Sequence, residues 1–448
     1  MARDLGVMST LLFRFNKHTL RPSAVPFVSL LAFSLFFSST AHAVTVGPAY
    51  NPSVEPLPTE KKKLPDPLDL IPITAVVPIL DVGFSPSDPK LEQRGIWPEL
   101  RKTEAIRSAI KLKDALIGIN QFESVQVVPD TSASSDFYLV GIIKESTGEI
   151  LRIQYMFIDA TGRTRLNRTD VHRVEPGWHA RFAAPGVDPF QPLYDKIAIE
   201  VWKDLKKLAE DHKRVSKRKG KSSRLSEVET IGATRELMFA QYFNPGLYKD
   251  AISPVRPKSS RDSSYKLNYL PDRSSSEWSS IETIKARDQV FIRQLNQTYG
   301  QFMTEVDPKY AEWQNDIFPT ARQIRLAKRS ETISNVTAGA LAVATVAAAV
   351  DADSTSGRDT ALAVGGVLTS AALIKGAMER QKKNRNLIEF NELSQSYHDS
   401  FTPMRVSVGG EVVSLQGTAV NQFNQWRELL RNIAQQENAD LDSIRILD

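Results

Sequence analysis

The chain has 448 residues, a formal net charge of +5, 41% hydrophobic residues and no cysteine. The absence of cysteine excludes disulfides, thiolate metal sites and cysteine nucleophiles. Residues 1–43 hold four Lys/Arg and one Asp, so the remainder carries 53 basic against 51 acidic side chains, too even a balance to attract nucleic acid in general.

The N-terminus reads as an export signal. Arg14, Lys17 and Arg21 precede the apolar run Val25–Phe37, and Ser-Ser-Thr-Ala41-His42-Ala43 supplies a small-x-small cleavage site before Val44. A single N-terminal membrane anchor is the alternative, but the run is shorter than the ~20 residues of a typical span. Met8 is a second candidate start. No cysteine follows the cleavage site, so the chain is not itself lipidated; the expected location is the periplasm, with the outer membrane as the associated surface. Residues 44–70, with Pro48, Pro52, Pro56, Pro58, Pro65 and Pro67, read as an extended tether.

From 71 to 211 the pattern is β-α-β-β-β-α. Ile71–Val82 predicts a first strand, and Arg101–Ile117 a helix with Ile106, Ile110 and Leu116/Ile117 on one face. Two further strands follow at Ser124 and Phe137. Leu151, Ile153, Tyr155 and Phe157 alternate with Arg152 and Gln154, the period-2 mark of a strand with one wetter face. Asp159-Ala-Thr-Gly-Arg163 turns the chain into Thr164–Val174. Asp188-Pro189 opens a helix bearing Phe190, Leu193, Ile197, Val201, Leu205 and Leu208 at helical spacing. The expected fold class is α+β: a small mixed sheet with helices on one face, then a mostly helical region with a small-residue helical hairpin and a C-terminal β-hairpin.

The runs Asp136-Phe-Tyr-Leu-Val-Gly-Ile-Ile143, Gly148-Glu-Ile-Leu-Arg-Ile153 and Phe157-Ile-Asp-Ala-Thr-Gly-Arg163 resemble the sheet of periplasmic domains in TolB N-terminal, LpoB and CsgG-like envelope proteins. The layout is also similar to an uncharacterised family of proteobacterial secreted proteins and lipoproteins. The resemblance implies envelope assembly or scaffolding and carries over no catalytic residues. The chain departs from the lipidated members in lacking their acylated cysteine.

Residues 212–228 form a basic linker in which Lys217, Arg218 and Lys219 are candidate contacts for headgroups or an acidic partner; a solvated connector is the plainer reading. The region 229–334 is expected to be helical over Glu229–Phe243, looped over 244–276, and helical again from Glu277. Asp307-Pro308 is expected to interrupt that last helix, and Phe318-Pro319 to break or restart it. Residues 335–378 form an Ala/Gly-rich hairpin. Small residues at Gly339, Ala340, Ala344 and Ala348, and at Ala361, Gly365, Gly366, Ser370, Ala372 and Gly376, give helix faces that another helix can approach closely. Arg325, Lys328 and Arg329 flank its entry, and Lys382 and Lys383 its exit. A membrane hairpin and a protein-only hairpin both fit, although alanine and glycine insert weakly into lipid. Over 379–448, a helix (Glu379–Tyr397), a β-hairpin turning at Gly409-Gly410 and a last helix (Ala419–Glu437) are expected.

The chemistry-bearing motifs are weak. His172 and His179 lack the His-Glu-x-x-His spacing; Gly220-Lys221-Ser222 has Val215 where a phosphate-binding loop needs glycine; no Gly-x-Ser-x-Gly elbow occurs; and the Asp351–Asp359 loop lacks the glycine and glutamate of a calcium loop. No catalytic residue, cofactor, metal or nucleotide is therefore expected. The expected function is a non-enzymatic envelope assembly component with a protein partner, self-association and membrane contact as its interactions. A periplasmic activator or enzyme acting on the cell wall is the alternative.

Overall fold

A computed structural model describes residues 65–448 except 86, 183–185, 219–223, 256–263, 338–368, 383–387, 389–391, 393–402, 409–410 and 446–448. The export segment, most of the tether, Lys219, Lys383, and Gly339 through Gly366 of the small-residue hairpin lie outside the described residues, as do the turn residues Gly409 and Gly410.

The chain is α+β. Its sheet holds β1 (Thr74–Pro78), β2 (Ser124–Val128), β3 (Phe137–Ser146), β4 (Ile150–Asp159) and β5 (Thr164–Arg173) in the order β2-β1-β3-β4-β5. β1 is parallel to both β2 and β3, whereas β3, β4 and β5 run antiparallel. A parallel neighbour needs a crossover, and α1 (Pro98–Gly118) supplies it between β1 and β2. Leu151, Ile153, Tyr155 and Phe157 of β4 are buried, while Arg152, Gln154 and Met156 between them are half-buried. Phe137 stacks on Phe157 with ring centroids 5.0 Å apart. α1 and α3 (Gln191–Ser216) pack on each other and on the sheet; between them comes the short α2 (Trp178–Phe182). The apolar stripe of α3 from Leu193 to Leu208 is buried as its spacing predicts.

Several boundaries differ from the sequence expectation. β1 spans five residues, after which only Asp81 pairs again, with Ile142. α1 starts at Pro98, a favoured first-turn position for proline, and Ile117 lies 53% exposed. The basic linker is shorter: α3 runs to Ser216 and α4 (Glu227–Phe243) begins behind Ser226. Ser226 and Glu229 form a reciprocal capping box, and Asp211 accepts the Glu227 amide at 2.9 Å. Inside the expected loop 244–276, the four-residue strands β6 (Ile252–Val255) and β7 (Ser264–Leu267) pair antiparallel.

The largest correction is α5 (Ser276–Thr337), one helix of 62 residues that contains both Pro308 and Pro319. At 1.5 Å per residue it is about 90 Å long. Proline removes one helical hydrogen bond and crowds the preceding turn, but the ion pair of Asp307 and the burial of Tyr310, Trp313 and Phe318 keep the helix continuous through both. α5 also closes the edge of the sheet. The Val127 amide donates to Asn296 Oδ1 at 2.8 Å and Asn296 Nδ2 donates to the Val127 carbonyl at 2.9 Å, which occupies backbone groups that β2 leaves unpaired.

α6 (Ser370–Lys382) packs back on α5. β8 (Met404–Val408) and β9 (Glu411–Leu415) form the C-terminal hairpin, and α7 (Ala419–Arg445) ends the chain. Arginine ion pairs join the parts. Arg427 of α7 pairs with Asp288 of α5 at 3.1 Å, and its guanidinium lies 4.3 Å from the Tyr242 ring centre and 4.9 Å from that of Phe243. Arg165 of β5 binds Asp159, Asp204 and Glu227, tying the β4–β5 turn to α3 and α4. Arg235 of α4 reaches Asp136 at 2.9 Å, whose Oδ2 also accepts the Thr74 amide.

Candidate functional site

The polar side of α1 carries Arg101, Glu104, Arg107 and Lys111 at three- and four-residue spacing. On an isolated helix such a stripe faces water. Here α5 lies across it, and Arg101, Glu104 and Arg107 are buried. Arg107 donates to Asp307 at 2.6 Å and pairs with Asp188 at 2.8 Å, while its guanidinium sits 4.4 Å from the Tyr310 ring centre. Burial works against the Arg107 charge, but Asp188, Tyr194 and Asp307 more than offset it, so its pKa rises well above the ordinary value. For Asp307, burial is outweighed by Arg107 and Lys111, which hold its carboxyl below the usual range. Glu104 accepts from Arg101 at 2.9 Å, from Ser146 at 2.6 Å and from Tyr310 at 3.0 Å. Burial, then Glu104, pushes the Tyr310 phenol well up, so the hydroxyl stays protonated as a donor.

Beside this network lies a partly open cleft with a volume of about 80 Å³. Four pieces of chain frame it: the turn Glu92–Arg94 with the start of α1, the β3–β4 turn, the C-terminal half of α5, and α6. Its walls are apolar (Trp97, Leu100, Ile317, Ile324, Ile374 and Met378) and its floor holds Arg101 and Trp313. The β3–β4 turn is held against α5 by Gly148, whose φ of +80° suits glycine and where a Cβ would come within 2.4 Å of Ile317. Next to it Glu149, buried, receives Arg325 through Nε at 2.9 and 2.8 Å.

That ion pair assigns Arg325, a candidate headgroup contact by sequence, to an internal role; its hydrogen bond to Glu149 raises its pKa. Lys217, Arg218, Lys328 and Arg329 are exposed, and Lys382 ends α6. Of the small residues on α6, Ser370 is buried together with Ile374, Ala377 and Met378, the side turned to α5 and the cleft. Ala372 and Gly376 are exposed, and a Cβ on Gly376 would meet nothing within 4 Å.

His172 and His179 do not converge on a ligand set. His179 packs against Phe318 and Trp178 with ring centres 5.0 and 5.1 Å away, and burial lowers its pKa. Among the described residues no group of three or more His, Asp or Glu could hold a metal ion, and no helix is long and apolar enough to cross a membrane. Sequence reasoning missed the Arg107 network and the cleft. The available signal was the alternating-charge stripe on α1, which local pattern alone assigns to solvent. Comparison with protein-family models, with curated proteins and with solved structures gives no match.

Proposed function

We propose that this protein is an exported, non-enzymatic assembly component of the cell envelope, located in the periplasm and associated with the outer membrane. It joins an envelope partner and further copies of itself through the region 335–378. The observation that carries this reading is the orientation of α6. Ser370, Ile374, Ala377 and Met378 are buried, which leaves the small residues Ala372 and Gly376, flanked by Lys375 and Glu379, on an outer side that a second helix can approach. The long α5, joined to the sheet by buried ion pairs, is a suitable support for such a contact.

The cysteine-free chain permits a direct test. Ala372→Cys and Gly376→Cys, made singly, are expected to form self-cross-links with a short bis-maleimide in purified protein and in envelopes. In intact envelopes, protection from a membrane-impermeant maleimide that is released by detergent and not by urea assigns the side to lipid. Protection released only by urea assigns it to a protein interface. Monomer alone, with full labelling before any treatment, would remove the assembly reading.

The second reading, an activator of a cell-wall enzyme, draws support from edge strand β5, where Val171 is 45% exposed beside the exposed Arg173. Val171→Asp would then abolish stimulation of a synthase and leave self-association intact.

A further inference from the structure

The cleft between α1, the β3–β4 turn, α5 and α6 holds features that a scaffold role does not require. Trp313 is 7% exposed, and its indole Nε1 is buried without a hydrogen-bond partner among the described residues. An unpaired buried donor costs on the order of 1–3 kcal/mol, so a group that accepts from it is favoured there. On the same floor, Arg101 uses Nε for Glu104 and makes one 3.3 Å bond each to the carbonyls of Val82 and Ser146. Two of its five N–H groups stay uncommitted among the described residues. The ionisable groups lining the cleft are Arg94, Arg101, Lys328 and Glu104, and Arg94 pairs outside the lining with Asp88 at 2.9 Å. Glu104 is already occupied, with one oxygen on Arg101 and the other on Ser146 and Tyr310.

The lining therefore offers unused N–H donors of Trp313 and of the Arg101 guanidinium, while Trp97, Leu100, Ile317, Ile324, Ile374 and Met378 form apolar walls. A ligand matched to both has an acceptor head, of which a carboxylate suits a guanidinium best, and an apolar body. Size narrows this further. The volume of about 80 Å³ corresponds to the space of about five waters at ~15 Å³ each, enough for a carboxylate and its first few carbons. The rest of the chain would lie along the open wall formed by α5 and α6. We infer that the cleft is a binding site for a single-chain amphiphile with a carboxylate head, of the fatty-acid class, its head at Arg101 and Trp313 and its chain along Ile324, Ile374 and Met378.

Because α6 supplies part of the wall, occupancy would also tighten the seating of α6 on α5. This inference stands apart from the assembly proposal: either can fail without the other.

The test is isothermal titration of the full chain with decanoate below its micelle concentration, with decanol and decyltrimethylammonium as head-group controls. Decanoate is expected to bind saturably with one site, and both controls at least about tenfold more weakly. Trp313→Phe keeps the ring and removes the donor, and should weaken decanoate about 2- to 10-fold, the worth of one hydrogen bond. Ala321→Leu, which fills the cleft from α5, should abolish binding with an unchanged circular dichroism spectrum. Should A321L not fold, W313F together with the head-group series decides the matter. No saturable binding by the wild-type chain, equal affinity for a control, or an unchanged affinity in W313F would each overturn the inference.

Discussion

Arg107 is the side chain whose loss tests the architecture most directly. It is 5% exposed and faces Asp188, 2% exposed, and Asp307, 27% exposed. Arg107→Met keeps the aliphatic stem and removes the charge, leaving Asp188 buried with no cation. Breaking a buried pair from one side costs about 3–5 kcal/mol, and the lost stacking over Tyr310 falls within that range. Asp307→Asn should cost only about 1 kcal/mol, because that carboxyl is partly hydrated and its amide still accepts from Arg107. The decisive comparison is the pair Arg107→Met with Asp188→Asn, which removes both buried charges and should recover at least half of the single-mutant loss. Urea unfolding followed by far-UV circular dichroism and by tryptophan fluorescence measures all four proteins. The two probes should separate in R107M alone, as α5 comes away before the sheet unfolds. A loss below about 1 kcal/mol in R107M, or a double variant weaker than R107M itself, would refute the argument that this network couples sheet and helix.

Four further outcomes are expected. Asn296→Ala should cost about 2 kcal/mol for two lost bonds to Val127, and amide exchange should accelerate at Val127 before it does so elsewhere in β2. Gly148→Ala combines a φ of +80° with a Cβ 2.4 Å from Ile317, and should cost about 2–4 kcal/mol in a urea titration. Gly186→Ala has the same φ sign and open space, and should cost about 1 kcal/mol. Burial lowers the pKa of both His172 and His179, so below about pH 6.5 the unfolded chain binds more protons than the folded one. Stability is therefore full above pH 6.5 and falls as pH drops from there toward the folded values. His179→Phe, which keeps a ring against Phe318, should flatten the part of that slope due to His179 in thermal melts at stepped pH.

The strands and the short-range helices were legible because their signals are local. Alternation in β4, the apolar stripe of α3 and the strand pair at Met404–Leu415 each lie within one stretch of chain. What escaped depends on residues far apart. Arg107, Asp188 and Asp307 meet only after the sheet has formed and α5 has crossed it, so α1 displays a stripe that looks solvated until that moment. The prolines misled for a related reason: intrinsic propensity argues for two breaks in α5, and contacts on both sides of each proline override it. Arg325 shows the same limit, since no spacing rule links it to Glu149, and the burial of that glutamate is a property of the folded turn. The strands β6 and β7, four residues each with a proline in the first, carried too little pattern to read.

The positions of those two prolines have one more consequence. Pro308 and Pro319 are eleven residues apart, about 1,100° of helical rotation and so only ~20° from three full turns. Both are exposed, on the side away from Tyr310, Trp313 and Phe318. A proline wedges a helix open along its own side, and two wedges in nearly the same plane add where opposed ones would cancel. Prolines so placed favour a bow in this part of α5 with its convex side toward water and its concave side toward Tyr310, Trp313 and Phe318. An arc of this sense follows a rounded surface more closely than a straight rod, so the same two residues that argue against a continuous helix favour its lying along the sheet domain.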